Sequence, residues 1–263
     1  MKVLFIGDIV GRVGREIIGE LLPKIRKRED INFVVANAEN AAAGSGLTIK
    51  VVEELLSYRI DCITSGDHIW SKKDILGIID TEPRLLRPAN YPKGVSGVGS
   101  VVLKTEQGIA IGVLNLQGRV FMNPIECPFR VGLEEVEKLQ EKTSIIIVDI
   151  HAEATSEKQA LGHWLNGKVS AVLGTHTHVT TADEKILSDG TAFISDVGMT
   201  GPFYSVLGRT VDSVLKRFLT ATPVRMDVAT EDARIQAVLV EIDESTGKAR
   251  DIKRVEYTHS SVS

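Results

Sequence analysis

The chain has 263 residues, of which 43% are hydrophobic and 25% charged, a balance typical of a globular protein with enough material for a substantial core. Its 31 basic and 35 acidic residues give a formal net charge of −4, which makes no case for polymeric nucleic acid or an anionic membrane surface as a partner. Cys62 and Cys127 stand alone with no C-x-x-C spacing, which argues against a disulfide framework and against thiolates as metal ligands.

The first apolar run, Lys2 to Ile6, reads as a buried strand. It stops at Asp8, too short for a signal peptide, and no stretch approaches the roughly 18–20 apolar residues of a membrane helix. A cytoplasmic protein is expected. Ile17, Ile18, Leu21, Leu22 and Ile25 then fall at helical spacing, and Lys24–Arg28 closes that helix with charges that suit its dipole. Residues 32–36 predict a strand, Val51, Val52, Leu55 and Leu56 a second helix, and Cys62–Thr64 a short strand. A helix over 71–80 follows, then a proline-interrupted stretch from Pro83 to Pro92 and a hairpin turning at Glu106-Gln107-Gly108. A helix near 131–141, a buried strand at Ser144–Ile150, a helix at 155–165 and a strand at 169–173 come next. A hairpin over 184–195, a helix over 210–220 and a β-rich end with a turn at Ser245-Thr246-Gly247 complete the pattern. Mixed parallel and antiparallel signals predict layered sheets with outer helices, as a single domain over 1–257 followed by a polar, frayed tail at 258–263.

Familiar nucleotide motifs fail. Gly7, Gly11 and Gly14 lack the glycine that a dinucleotide fingerprint needs where Ile9 stands, and no Gly-Lys-Ser/Thr follows. There is no D-x-D after the first strand, no G-x-S-x-G and no H-E-x-x-H. What survives is a set of acidic, amide and imidazole residues just past predicted strand ends: Asp8, Glu39-Asn40, Asp67-His68, His151 and His176-Thr177-His178. Ligand sites in open α/β sheets gather at the carboxyl ends of strands, so these distant segments can converge. Each fragment alone also reads as a turn, a cap or a core histidine; their recurrence at successive strand ends favours a metal centre. Carboxylates with neutral imidazoles suit iron, manganese or zinc, and one bridging carboxylate can hold two ions about 3.5–4 Å apart.

Gly7-Asp8, Gly66-Asp67-His68, His151 and Gly174-Thr175-His176-Thr177-His178 follow the ordered blocks of the calcineurin-like metallophosphoesterases, which the chain resembles. The segments NAENAAAGSGLT (37–48), RPANYP (87–92), HAEATSEK (151–158), GTHTHV (174–179) and DVGMTGP (196–202) are similar to the YmdB-type branch, bacterial proteins described as cyclic-nucleotide phosphodiesterases. The resemblance spans nearly the whole chain. It implies an α/β fold, a β-sandwich flanked by helices in α-β-β-α layers, with a two-metal site at its edge. Carried over residue by residue, Asp8, Asn40 and His178 would hold one ion, Asp67, His151 and His176 the other, and Glu39 would bridge them. His68 would face the substrate. The ions would be divalent or mixed-valence, iron or manganese in preference to zinc.

Two departures from the broader family matter. Val10 stands where a first-block histidine is usual, and Asn40 fills that role in the resemblance; Asp67 stands where an asparagine is usual. Two divalent ions against Asp8, Glu39, Asp67 and a bridging hydroxide leave a formally neutral centre, and an asparagine would leave one positive charge. The aspartate therefore bears on metal identity and rate. The expected reaction is hydrolysis of a 2′,3′-cyclic nucleotide or a related small phosphodiester by the bridging hydroxide, with His68 as proton donor to the leaving oxygen. Two other readings use the same centre: a cyclic-nucleotide-binding regulator with slow turnover, and a phosphomonoesterase or phosphoprotein phosphatase. Asp149 is a candidate to orient His151, and Glu153, Glu157 and Lys158 read as a helix start. Arg87, Asn90, Asn115 and Arg119 are candidates for phosphate or base, His163 and His259 are structural or exposed, and a homo-oligomer is left open.

Overall fold

The computed structural model describes residues 1–262. Its first half runs β1 (Lys2–Ile6), β2 (Asp8–Ile9), α1 (Gly11–Glu29), β3 (Phe33–Asn37), α2 (Ile49–Ser57), β4 (Cys62–Thr64), β5 (Ser100–Lys104), β6 (Ala110–Gln117) and α3 (Pro128–Gln140). There follow β7 (Ile146–His151), α4 (Thr155–Trp164), β8 (Ala171–Thr175), β9 (Lys185–Ile186), β10 (Ala192–Ile194), β11 (Met199–Pro202), α5 (Val211–Thr220), β12 (Ala233–Ile242) and β13 (Ala249–Tyr257).

Side-chain alternation explains how these elements stack. In β1, Val3 and Phe5 face one way, Leu4 and Ile6 the other, and all four are buried, so the strand needs cover on both sides. Leu4 and Ile6 pack under Ile17, Ile18, Leu21 and Leu22 of α1 and Val52 and Leu55 of α2. Val3 and Phe5 meet Val113 of β6, Ile147 of β7 and Leu173 of β8 across the sheet interface. The far faces of β6 and β7, with Leu114, Leu116, Ile146 and Val148, are covered by Val136 and Leu139 of α3 and Leu161 of α4. The result is four layers, α-β-β-α.

One sheet is ordered β2-β11-β12-β1-β3-β4, with β13 beside β12; the other is ordered β5-β6-β7-β8-β10-β9. Within them β1, β3 and β4 run parallel, as do β6, β7 and β8, so their carboxyl ends are grouped. The ten residues of β12 are enough for β1 and β11 to share one edge while β13 takes the other.

The alternating layers expected from the sequence are present, with local differences. The helix expected over 71–80 is only a short 3-10 turn at Lys73–Gly77, where the Asp74 carboxylate is drawn off to the backbone N–H of Ile49 at 2.7 Å and Gly77 weakens any continuation. The third helix starts earlier than expected, at Pro128, a residue suited to a first helical turn. Neither β2 nor β11 was predicted, because two to four residues are too few for alternation to register. The segment expected as a frayed tail is held as far as it is described: His259–Ser261 form a 3-10 turn capped by Thr258, and Val262 is buried against the α1 core. Ser263 lies outside the described residues. Removing 258–263 should lower stability by about 1–3 kcal/mol, the scale of one buried aliphatic side chain; an unchanged urea midpoint would show that the end contributes nothing.

Candidate metal centre

Parity carries each central strand from core to site. Between the sheets, β3 buries Phe33 and Val35, and the same face then presents Asn37; β4 goes from Cys62 to Thr64 in the same way. Across the interface, β6 passes from Val113 to Asn115 and Gln117, β7 from Ile147 to Asp149 and His151, and β8 from Leu173 to Thr175. Register sets Asn115 beside Asp149, and aligns Gln117, His151 and Thr175 in one row.

Asp149 joins the layers at this level. Its Oδ2 accepts from Asn37 Nδ2 at 2.9 Å and Thr64 Oγ1 at 2.5 Å, both on the opposite sheet. Its Oδ1 accepts from Thr175 Oγ1 at 2.7 Å. Thr175 Oγ1 also lies 2.9 Å from His151 Nδ1. A hydroxyl has one proton, so Thr175, having donated to Asp149, must accept from His151 Nδ1–H. The tautomer is thereby fixed, with Nε2 free to act as a ligand. Burial pushes the Asp149 carboxyl up to about 6, against the pull of His151, Thr64, Asn37 and Thr175.

The proposed donors lie immediately above. Gly7 breaks β1 where a Cβ would come within 2.1 Å of the Gly198 carbonyl oxygen, and the chain turns into β2 with Asp8 fully buried. The loop after β3 carries Glu39, whose N–H is held by Asn37 Oδ1 at 3.2 Å, and Asn40, whose carbonyl accepts from Gly11 N at the start of α1. After β4, Gly66 lets the chain pass close to the site, since a Cβ there would lie 2.1 Å from the His151 ring and 2.4 Å from Glu39 Oε2. Asp67 and His68 follow.

Glu39, Asp67, His151 and His176 form one group, with a donor atom from each within 4.8 Å of all the others. His151 Nε2 lies 3.1 Å from Glu39 Oε1, 3.4 Å from Asp67 Oδ1 and 3.0 Å from His176 Nδ1. Asp8, Asn40 and His178 adjoin this group on the Glu39 side. Asn40 Nδ2 lies 3.1 Å from Glu39 Oε1 and 3.2 Å from His178 Nε2, and His178 Nε2 lies 3.8 Å from Asp8 Oδ1. His68 is half-exposed, with Nδ1 3.0 Å from Glu39 Oε1. The structure thus brings all eight sequence-derived candidates together.

This donor set fits a cation. Asp8 Oδ1 and Asp67 Oδ1 are buried with no hydrogen-bond partner, an expensive condition for a carboxylate unless a positive charge serves it. Burial raises the Asp8 carboxyl even with His178 and His151 nearby. Burial also opposes charge on Glu39, but His151 and His68 hold its carboxyl well below the usual range. In the same way burial works against a charged His151, yet Glu39 and Asp67 raise it well above an ordinary imidazole. Carboxylate and imidazole donors suit a transition ion.

The loop supplying His176 and His178 is strained and pinned. Both histidines have left-handed backbones, φ 98° and 65°, a conformation that non-glycine residues avoid. Between them, Thr177 donates to Asp196 Oδ2 through its N–H at 3.0 Å and its hydroxyl at 2.7 Å. Lys158 of α4, only 1% exposed, donates to the same oxygen at 2.7 Å. His178 Nδ1 donates to the Leu207 carbonyl at 3.2 Å, which leaves its Nε2 toward Asn40.

Other candidates have structural partners. The Arg87 guanidinium is taken up by the carbonyls of Pro88, Val95 and Ser96, Asn90 ties Gln117 to Glu126, and Asn115 brackets Ser65. None of the three is free for phosphate or base. Arg119 remains exposed, His163 is exposed on α4, and His259 pairs with Glu20. Of the supposed helix-start residues, Glu157 holds the backbone N–H groups of Arg119 and Val120, and Glu153 lies 3.1 Å from His176 Nε2. Sequence reading missed the Lys158–Asp196 pair; the one available signal was a lysine at an interior position of α4.

Lys158→Met would leave Asp196 buried without its counter-charge, and should cost about 3–5 kcal/mol of stability while weakening metal loading. Thr175→Val removes the acceptor for His151 Nδ1–H and should weaken metal affinity about 10–100-fold. Metal titration checks both, and an affinity equal to wild type in Thr175→Val would refute the tautomer argument.

The sequence matches the family of YmdB-like proteins over residues 4–255. A relative from Bacillus subtilis (strain 168), named 2′,3′-cyclic-nucleotide 2′-phosphodiesterase, is 46% identical over 97% of this chain and 96% of its own. A crystal structure of a hypothetical protein from Thermus thermophilus aligns with TM-score 0.91 at 40% identity, covering 98% of this chain and 99% of that one. Another, titled a novel phosphatase and from Mycoplasma pneumoniae, aligns with TM-score 0.91 at 34% identity over 98% and 93% of the two chains. With its fold, its clustered donors and its sequence in agreement over nearly its whole length, this chain belongs to the YmdB-like family.

Proposed function

We propose that the chain is a metal-dependent phosphodiesterase acting on 2′,3′-cyclic nucleotides or related small phosphodiesters. The observation that carries this reading is the convergence of Glu39, Asp67, His151 and His176 on one point, in a chain 46% identical to a relative named for that activity. Asp8, Asn40 and His178 would hold one ion, Asp67, His151 and His176 a second, and Glu39 would be shared between them, with iron or manganese suited to the mixed donors. When bound, such ions supply Lewis acidity toward phosphoryl oxygens and lower the pKa of water.

The remaining chemistry belongs to side chains of this chain. Water adds to phosphorus, a P–O bond to the ribose breaks, and the departing sugar oxygen needs a proton. We assign that role to His68. Its bond to Glu39 raises the imidazole above its ordinary value despite partial burial, and with Nδ1 engaged there, Nε2 is left for the substrate. Thr175 and Asp149 hold His151 in its ligand tautomer, and Lys158 with Asp196 holds the loop between His176 and His178. Two unpaired cysteines are consistent with a cytoplasmic location, and among the described residues no helix is long and apolar enough to cross a membrane.

Assays with Mn²⁺ or Fe²⁺ on 2′,3′- and 3′,5′-cyclic nucleotides, and on bis-p-nitrophenyl against p-nitrophenyl phosphate, should show preference for the 2′,3′-cyclic compounds and the bis-ester. Tight nucleotide binding without hydrolysis under either metal would instead make the protein a regulator, and preference for the monoester would make it a phosphomonoesterase. Glu39→Gln should lose both metal and turnover. His68→Asn should keep its metal yet lower kcat about 10²–10⁴-fold on cyclic nucleotides, and much less on p-nitrophenyl esters, whose leaving group needs no proton. Equal losses on both substrates would remove His68 as the acid.

A further inference from the structure

Val10 stands at the N-cap of α1, yet its side chain gives that helix no capping hydrogen bond. The residue is firmly fixed all the same. It is 1% exposed, its N–H donates to the Thr200 carbonyl at 2.8 Å, and its own carbonyl accepts from Gly14 N at 3.2 Å. Asp8, a proposed donor, lies two residues before it. What its side chain presses against is a turn in the segment after β11.

In that turn Val206 and Arg209 exchange backbone hydrogen bonds at 2.9 and 3.0 Å, so Leu207 and Gly208 form a two-residue hairpin loop. Both have left-handed backbones, φ 52° and 86°, as such a loop demands. Glycine adopts this conformation freely and leucine does not. The Leu207 side chain is 48% exposed, so its own burial does not account for the strain. What the conformation achieves is to aim the Leu207 carbonyl at His178 Nδ1, 3.2 Å away. A carbonyl only accepts, so this contact keeps the proton on Nδ1 and leaves Nε2, 3.8 Å from Asp8 Oδ1, without one. Ser205 Oγ accepts from Gly208 N at 2.9 Å, and the Gly208 carbonyl accepts from Ala229 N at 3.0 Å, which ties the sides of the turn. Its floor is Val10: a Cβ on Gly208 would lie 2.6 Å from Val10 Cγ1 and 3.4 Å from Cγ2.

We propose that Val10 is a positioning residue for His178, acting through the Leu207-Gly208 turn: its branched side chain sets the height of the Leu207 carbonyl, and the carbonyl sets the tautomer of the imidazole. One side chain thereby registers His178 to Asp8, although the two residues come from different sheets. The consequence for metal rests on the reading of His178 as a donor given above. Serine and threonine at position 10 test the proposal, because both can cap α1 and so protect the fold, whereas only threonine keeps both γ positions filled. In alkaline buffer, where imidazole is neutral, nitrogen-correlated NMR spectra of the metal-free protein should show His178 protonated at Nδ1 in wild type and Val10→Thr. Val10→Ser should show a mixture of the two tautomers. Titration with Mn²⁺ should find binding weakened about tenfold in Val10→Ser and unchanged in Val10→Thr. A pure Nδ1–H tautomer in Val10→Ser, or a Val10→Thr variant that behaves as Val10→Ser does, overturns the proposal. A tautomer mixture in Val10→Ser with Mn²⁺ affinity intact would uphold the positioning by Val10 and remove His178 from the proposed donors.

Discussion

A single carboxylate, Asp149, holds the two halves of the site in alignment. It sits at the level where the sandwich changes from apolar to polar, and it accepts hydrogen bonds from Asn37 and Thr64 of one sheet and Thr175 of its own. Without it, three buried donors would lose their acceptor and His151 would lose the reason for its tautomer. The proposed donors above it are held by short connections to strands that this bond network registers. Site geometry is thus inherited from the packing of two sheets, with loops contributing only the last few ångströms.

The second constraint is electrostatic. Asp8, Glu39 and Asp67 are gathered where solvent is largely excluded, and two of them keep an oxygen with no hydrogen-bond donor. Like charges this close raise one another's protonation, and here the opposing histidines share the load. Asp67 adds a carboxylate where an amide would have been less negative, which favours a cation at this point.

Much of this was legible in the sequence because strand parity is a strong signal. Runs such as Ile146–His151 and Ala171–Thr175 switch from aliphatic to polar on the face that already pointed inward, which marks both the strand and its carboxyl end. The histidines and acids of the site lie directly after such switches. The pairing of Lys158 with Asp196 was not legible, since it joins residues 38 apart whose only sequence trace is one lysine in a helix. The 3-10 turn at Lys73–Gly77 was missed for a different reason: local spacing favours a helix there, and a tertiary bond to Ile49 overrides it. Arg87 and Asn90 look like anion binders in a linear sequence, but backbone carbonyls claim them first.

The division of donors between the layers has a consequence for folding. Asp8, Glu39, Asn40 and Asp67 lie in or just after strands of the sheet that contains β1, whereas His151, at the end of β7, and His176 and His178, just after β8, belong to the other. Each sheet therefore carries half of the proposed donor set, the carboxylates on one side and three of the imidazoles on the other. While the sheets are apart, His68 is the one imidazole on the first sheet's side to offset the repulsion among its carboxylates. Closure of the sandwich is the event that brings these donors together, so affinity for an ion there would gauge how tightly the layers have come together.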